Sequence, residues 1–187
     1  SDTVAAYSVG GKIENVITQF FPAVGMAIST FAGQNLGAGN LERIRKGFRT
    51  SFAIMAVGTV IALGVAMVAA VPFSHIFMDK NTTSPAIIEQ AVEYVHTIAW
   101  FFIPLGMIFI FRTGCQGLGS GAIPMISSIA ELVMRAIAAF TLPLAFGYRG
   151  ICFASPVAWC GAGFILPFCY LFLMRKITRN MEKSRNS

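Results

Sequence analysis

Charge is what this sequence has least of. Aspartate, glutamate, lysine and arginine together make up 12% of its 187 residues, while 56% are hydrophobic. A soluble domain carries roughly 25% charged residues. A water-facing surface of this size cannot be covered so sparsely, which excludes an ordinary soluble chain. Catalytic signatures are missing too: no HExxH, no GxSxG and no paired aspartates occur. Without a nucleophile, base or metal set in any recognisable spacing, the chain does not read as an enzyme.

The four cysteines, Cys115, Cys152, Cys160 and Cys169, form no CxxC, and three of them lie in one hydrophobic stretch. Cysteines so placed behave as small apolar residues, so neither a disulfide nor a metal site is expected. The run from Gly114 to Gly121, GCQGLGSG, has no lysine where a phosphate loop needs one and follows a hydrophobic span rather than a strand. It reads as a hinge-like turn, not a nucleotide site. No low-complexity tract and no clear internal repeat is present. The chain opens Ser1-Asp2-Thr3 with no basic n-region of a cleavable signal, and it is expected to be part of a longer polypeptide.

Long uncharged runs are what the sequence has instead. Glu14 to Glu42, Arg49 to Asp79 and Arg149 to Arg175 each enclose one, longer than the ~20 residues a helix needs to cross ~30 Å of hydrocarbon. Glu93 to Arg112 and Arg112 to Glu131 enclose slightly shorter runs, sufficient if Arg112 sits at an interface. Lipid offers the backbone no hydrogen-bond partner, so these runs are helices. The ~10-residue alternating strands of an outer-membrane barrel do not fit. The expected fold is an all-α, polytopic membrane helix bundle. It is a single membrane domain over 1–187 with about five transmembrane spans, at 14–37, 51–77, 94–117, 122–146 and 151–174.

The net charge of +6 is concentrated at residues 43–49 and 175–185. Such clusters flank membrane spans on the cytoplasmic side, which accounts for them without nucleic acid. The loop between the first two spans holds Arg43, Arg45, Lys46 and Arg49 against Glu42. The next holds Asp79, Glu89 and Glu93 against Lys80, and the tail holds Arg175, Lys176, Arg179, Lys183 and Arg185 against Glu182. Alternation then puts the first loop inside, the second outside and the C-terminus in the cytoplasm, in a multi-pass protein of the plasma or inner membrane. Ser84-Pro85 is a helix-start signal, Gly147-Tyr148-Arg149-Gly150 a tight turn, and Pro22, Pro104, Pro143, Pro156 and Pro167 mark a bundle that bends.

The segment Gly33-Gln34-Asn35-Leu36-Gly37-Ala38-Gly39-Asn40-Leu41-Glu42-Arg43 is a helix end followed by a new helix. Gly33 and Gly37 form a GxxxG pair that permits close helix approach. Gly37 and Gly39 can adopt positive φ, and Asn40 can cap the next helix. GQNLGAGN followed by ERIRKG resembles the signature of the multidrug and toxic compound extrusion (MATE) family in its C-terminal lobe. In order along the chain, PAVGMAISTFAGQNLGAGN, FRTGCQGLGSG (Phe111 to Gly121), ELVMRA (Glu131 to Ala136) and GYRGICFASPVAW (Gly147 to Trp159) resemble further pieces of that lobe. The resemblance implies spans eight to twelve of a twelve-span, two-lobe transporter, with the N-terminal lobe and seventh span outside this chain. It also implies exchange of H⁺ or Na⁺ for small cationic or amphipathic substrates, with no resident cofactor. Flipping of lipid-linked or polysaccharide precursors, known in the wider superfamily, is one alternative, and GQNLGAGN argues against it; a fragment that does not transport is the other. Some branches carry a cation-binding carboxylate in the tenth span. Here no acidic residue occurs between Glu93 and Glu131, so the main coupling carboxylates are expected in the missing lobe.

Several residues remain as transport candidates. Glu131 and Arg135, four apart on one helical face, are the deepest ionisable pair, either a structural lock or a cation-handling group. Glu14, with Asn15, Thr18 and Gln19 beside Gly11 and Pro22, forms a polar stripe on the first span. That stripe is either an outer-rim helix end with Lys12 snorkelling or a cavity wall that meets a cationic substrate. Arg112, Gln116 and Gly117 belong to the family's turn, with Arg112 expected to bond helix-end carbonyls or lipid phosphates. His75 and His96 are expected to be structural. Met26, Phe101, Phe102 and Met107 can line a greasy cavity.

Overall fold

Proline decides where the helices of this chain break. The computed structural model describes residues 2–77 and 84–186, with the side chains of Asp2 and residues 184–186 excepted. Its described residues form seven helices and no strand: α1 (Asp2–Thr18), α2 (Phe20–Gly37), α3 (Leu41–Phe77), α4 (Pro85–Ala99), α5 (Phe102–Gly117), α6 (Ala122–Phe146) and α7 (Tyr148–Asn186). Pro22 has no N–H to bond the carbonyl of Thr18, and its ring crowds that carbonyl. The chain accordingly breaks at Gln19, and the two halves meet at 43°. Pro104 does the same to Trp100, where α4 and α5 bend by 58°. Around that second break Phe101 N donates to Ile98 O at 2.8 Å, one residue short of the α-helical register. Pro72, Pro143, Pro156 and Pro167 are absorbed within continuous helices.

Three helices, α3, α6 and α7, are each long and apolar enough to cross a membrane, and each bent pair supplies one more, up to five. Helical structure extends beyond the charge-free runs. Helix α3 begins at Leu41, so Arg43, Arg45, Lys46 and Arg49 ride on its first turns and the connection shrinks to Ala38–Asn40. Helix α7 continues to Asn186 and carries the basic tail with it. The first bent pair begins at Asp2 and the second at Pro85. The reason is physical: loss of charge marks where lipid starts, whereas a helix ends only where its backbone is capped or broken. Asp79 and Lys80 lie outside the described residues. Ser84 occupies the N-cap position of α4, but its side chain makes no capping bond; its carbonyl accepts from Ile87 N instead.

No clear repeat is expected from the sequence, yet the structure builds two similar units. Helix α1 packs on α4 and α2 packs on α5, half-helix against half-helix. Both α2 and α5 also end alike. In α2, Gly39 at φ 70 lets its N–H reach Leu36 O and that of Asn40 reach Asn35 O at 2.8 Å. In α5, Gly119 at φ 82 lets its N–H reach Gln116 O and that of Ser120 reach Cys115 O. Both are Schellman endings, which satisfy the last carbonyls through a residue in left-handed conformation. The sequences correspond as well, FFPAVGM and QNLGAG around α2 against FFIPLGM and QGLGSG around α5, so a short sequence repeat accompanies the backbone geometry.

The α2–α5 crossing is close. A Cβ on Gly117 would run into the backbone of Ser29, and one on Gly33 would lie 3.1 Å from Gly117 O. Thr113 Oγ1 donates to Gly25 O at 2.7 Å across the same seam. The core is filled by Phe21, Ile28, Phe102, Ile108 and Ile110 from these two helices, with α3 and α7 packed outside. Helix α6 rests mainly on α7 and turns Leu132, Phe140 and Leu144 outward, as expected of a lipid-facing span. Gly37, expected to share the tight approach with Gly33, faces open space; the close glycines on α2 are Gly25 and Gly33.

Gly117→Val therefore forces two backbones apart and is expected to cost about 1–3 kcal/mol. In the detergent-solubilised full-length protein that lowers the unfolding midpoint by roughly 2–10 °C, while Gly37→Ala leaves it unchanged. Equal midpoints for the two variants would contradict the crossing.

Candidate functional site

Two polar clusters stand inside the apolar bundle. The first joins the leading halves of the two bent pairs. Tyr94 Oη on α4 donates to Glu14 Oε2 on α1 at 2.7 Å. Tyr94 is only 2% exposed, and a buried phenol needs a partner. Its ring fits because Gly10 has no side chain to meet it, and Tyr7 packs edge-on against it with centroids 5.0 Å apart. The other members of the expected polar stripe turn to their own helix. Asn15 Nδ2 donates to Gly11 O at 2.9 Å and Thr18 Oγ1 to Glu14 O at 2.8 Å. Thr18 is buried, whereas Asn15 and Gln19 are exposed, Gln19 at the break before α2. Gly11 and Pro22 make no polar contact with Glu14. The stripe is thus one carboxylate held across a helix interface, plus residues satisfied locally.

The second cluster joins α5 to α6. Arg112 Nη2 bonds Glu131 Oε2 and Arg135 Nη2 bonds Glu131 Oε1, each at 2.5 Å. Arg112 also donates to Ser127 Oγ at 3.2 Å. One carboxylate thus serves two guanidiniums, one on each oxygen, the charge-assisted arrangement that arginine geometry favours. The expected Glu131–Arg135 pair is present. Arg112 corrects its expectation: it meets a side-chain partner on the next helix rather than helix-end carbonyls or lipid phosphates. Nothing in the sequence spacing linked Arg112 to Glu131, because the α5–α6 turn decides that pairing. Arg135 also lies within electrostatic reach of Glu14.

The residues of the GQNLGAGN segment form a helix ending and not a polar site. Gln34 is exposed, and its carbonyl accepts from Ala38 N at 3.1 Å. Asn35 is buried, with Nδ2 on Phe31 O at 2.8 Å. Asn40 Oδ1 accepts from Arg43 N at 3.1 Å, the N-cap of α3. The Arg43 guanidinium lies 6.0 Å from the centre of the Phe31 ring. Gln116 is exposed beside the close approach at Gly117. At the opposite end of the bundle Arg149 Nε pairs with Glu93 Oε1 at 2.8 Å, and Tyr148 Oη donates to Gln90 O at 2.8 Å, tying α7 to α4. Among the described residues no group of three or more His, Cys, Asp or Glu side chains gathers to hold a metal ion.

Sequence reasoning missed Tyr94, Ser127 and the Arg149–Glu93 pair. For Tyr94 a signal existed: a phenol at an apolar helix position implies an acceptor on a neighbour.

Broken spans, close glycine crossings and ionisable groups paired inside an all-α membrane bundle are features that membrane transporters use. The MatE family profile matches residues 1–141, and the chain belongs to that family, whose members are transporters and not enzymes. Three solved structures are similar in fold. An outward-facing multidrug resistance MATE transporter of the MOP superfamily has a TM-score of 0.85 at 17% identity, covering 94% of this chain and 39% of that one. An inward-facing one has 0.85 at 15%, covering 93% and 40%. The Vibrio cholerae MATE transporter VcmN in its bent form has 0.85 at 17%, covering 95% and 40%. A FAD transporter of Shewanella oneidensis is 26% identical over 161 residues, 82% of this chain and 33% of that protein. The chain thus spans about a third of that relative's length.

The ion network makes a definite forecast. Arg112 ties two helices together and is 24% exposed, whereas Arg135 stays within α6 and is 43% exposed. In the detergent-solubilised full-length protein, Arg112→Gln is expected to cost about 1–3 kcal/mol, more than Arg135→Gln. Glu131→Gln placed on top of Arg112→Gln is expected to add less than it costs alone. Thermal unfolding of the wild type and the four variants measures both comparisons, and the reverse ranking of the two arginines would refute the assignment.

Proposed function

We propose that this chain is one lobe of a secondary antiporter that exports small cationic or amphipathic compounds in exchange for H⁺ or Na⁺. Its basic end faces the cytoplasm, its partners are the lipid bilayer and an N-terminal lobe outside this chain, and Glu14 is its own contribution to coupling. One observation carries the reading: an intramembrane carboxylate, Glu14, bonded to Tyr94 across the interface of two half-helices. An ionised group at mid-bilayer costs about 2.5–3.5 kcal/mol on insertion scales. A hydrogen bond to a charged group returns about 1.5–3 kcal/mol. These terms nearly cancel, so Glu14 is poised to exchange its negative charge for a proton or a cation.

Exchange follows from competition. One carboxylate neutralised by a proton no longer attracts a cationic substrate, and one neutralised by substrate no longer takes the proton. Neutralisation also weakens the pull on the Tyr94 hydroxyl, which ties α1 to α4. Both are leading halves of bent pairs, so relaxing that tie changes their tilt at Gln19 and at Trp100–Phe101. Glu131 serves as a lock between α5 and α6 in this reading, since both its oxygens are engaged by arginine.

A second reading is favoured by the FAD transporter relative: an anionic dinucleotide as substrate. Arg112 and Arg135 outnumber Glu131, and the surplus positive charge suits a pyrophosphate.

Efflux of a cationic dye and of flavin from an efflux-deficient host expressing the full-length protein separates these readings. Glu14→Gln is expected to lower dye efflux by roughly ten- to a hundredfold, the equivalent of the lost charged hydrogen bond, and Tyr94→Phe to lower it less. Imposed pH and sodium gradients identify the ion. Undiminished efflux in Glu14→Gln removes Glu14 from the mechanism, and export of flavin without dye replaces the cationic substrate.

A further inference from the structure

Helices α3 and α7 diverge at the basic end of the bundle. Helix α3 packs on α1, α2, α4 and α5, and α7 on α4, α5 and α6. What bridges the two is side chains: Phe48 stacks on Tyr170 with centroids 4.1 Å apart, and Arg45 Nη2 reaches Thr178 Oγ1 at 3.5 Å. The divergence leaves two adjoining hollows. An outer one of about 710 Å³ is walled by Arg45, Arg175, Lys176, Arg179 and Lys183. An inner one of about 550 Å³ runs along Phe52, Phe111, Leu171 and Met174, with Arg45, Arg49 and Arg175 at its rim. Arg45 and Arg175 line both, so a polar mouth continues into an apolar channel.

Among the described residues, the arginines of this mouth have no carboxylate partner. Neither hollow is lined by a carboxylate, and among the described residues Arg45, Arg49, Arg175 and Arg179 enter no ion pair. General attraction of cytoplasmic positives to a negative membrane surface requires neither convergence from two helices far apart in sequence nor an apolar hollow beneath them. A bound molecule with an anionic head and a hydrocarbon tail requires both. Soluble phosphate would use only the outer half, and a soluble peptide would have no access to the inner one.

We infer that the α3–α7 groove is a binding site for an anionic phospholipid, its headgroup phosphate between Arg45, Arg175 and Arg179 and one acyl chain along Phe52, Phe111, Leu171 and Met174. The headgroup cross-links the start of α3 to the end of α7, adding to the Phe48–Tyr170 stack and the long bond from Arg45 to Thr178. Basic pockets between membrane helices hold anionic headgroups in this way, and each arginine near an anionic surface contributes about one kcal/mol, close to fivefold in affinity.

The test uses the full-length protein in neutral detergent, titrated with dihexanoyl phosphatidylglycerol and with dihexanoyl phosphatidylcholine, and bound lipid is counted by native mass spectrometry. Phosphatidylglycerol is expected to bind with one-to-one saturation and phosphatidylcholine not to. Arg45→Gln with Arg175→Gln is expected to weaken binding about thirtyfold. Arg43→Gln with Lys46→Gln removes the same charge from the neighbouring α2–α3 groove and is expected to leave it within twofold. Leu171→Trp, which fills the acyl channel without touching a charge, is expected to weaken it as well. Equal loss in the two charge variants would reduce the effect to general surface attraction and overturn the site. So would displacement of the lipid by millimolar inorganic phosphate, or unchanged binding in Leu171→Trp.

Discussion

A helix in lipid must satisfy its own backbone, and most of this architecture follows from where the chain meets that demand and where it does not. Continuous helices such as α3 and α6 meet nearly all of it themselves, each giving up one backbone hydrogen bond, at Pro72 and at Pro143. The breaks before Pro22 and Pro104 free carbonyls and let the chain bend, and a bend in lipid persists only when neighbouring helices support it. The chain supports each with the other. The two leading halves pack together, the two trailing halves pack together, and close glycine contacts at Gly25, Gly33 and Gly117 bring the trailing halves near enough for backbone and hydroxyl to meet.

The ionisable groups obey the same economy. Glu14 meets Tyr94 and Glu131 meets Arg112 and Arg135. The two arrangements differ in kind. Glu131 has strong charged partners on both oxygens, so any change in its charge breaks an ion network. Glu14 has one neutral hydroxyl, so its charge can change at modest cost. The proposed locking role of the α5–α6 cluster and switching role of the α1–α4 contact rest on that contrast.

Much of the fold was legible from charge alone. Runs without Asp, Glu, Lys or Arg located the spans, and the basic clusters at 43–49 and 175–185 marked one end of the bundle. The same signal misplaced the helix ends, because Arg43 to Arg49 and Arg175 to Lys183 are as helical as the apolar residues beside them. The GQNLGAGN segment announced a helix ending correctly through Gly39 and Asn40. It did not reveal that Gly37 would face open space, since which side of a helix meets a neighbour depends on that neighbour.

By itself, then, the sequence determined everything that depends on local chemistry. That includes an all-α membrane class, prolines that bend the bundle, the αL glycine and the capping asparagine, and the family to which its motifs point. Only the tertiary structure decided the pairings: Tyr94 with Glu14, Arg112 with Glu131, Gly117 with Ser29, and the convergence of Arg45 with Arg175. Each joins residues on different helices, and helix periodicity says nothing about partners across a gap. Crossing angles, set by glycine-sized close contacts and proline bends, bring those side chains within hydrogen-bonding distance.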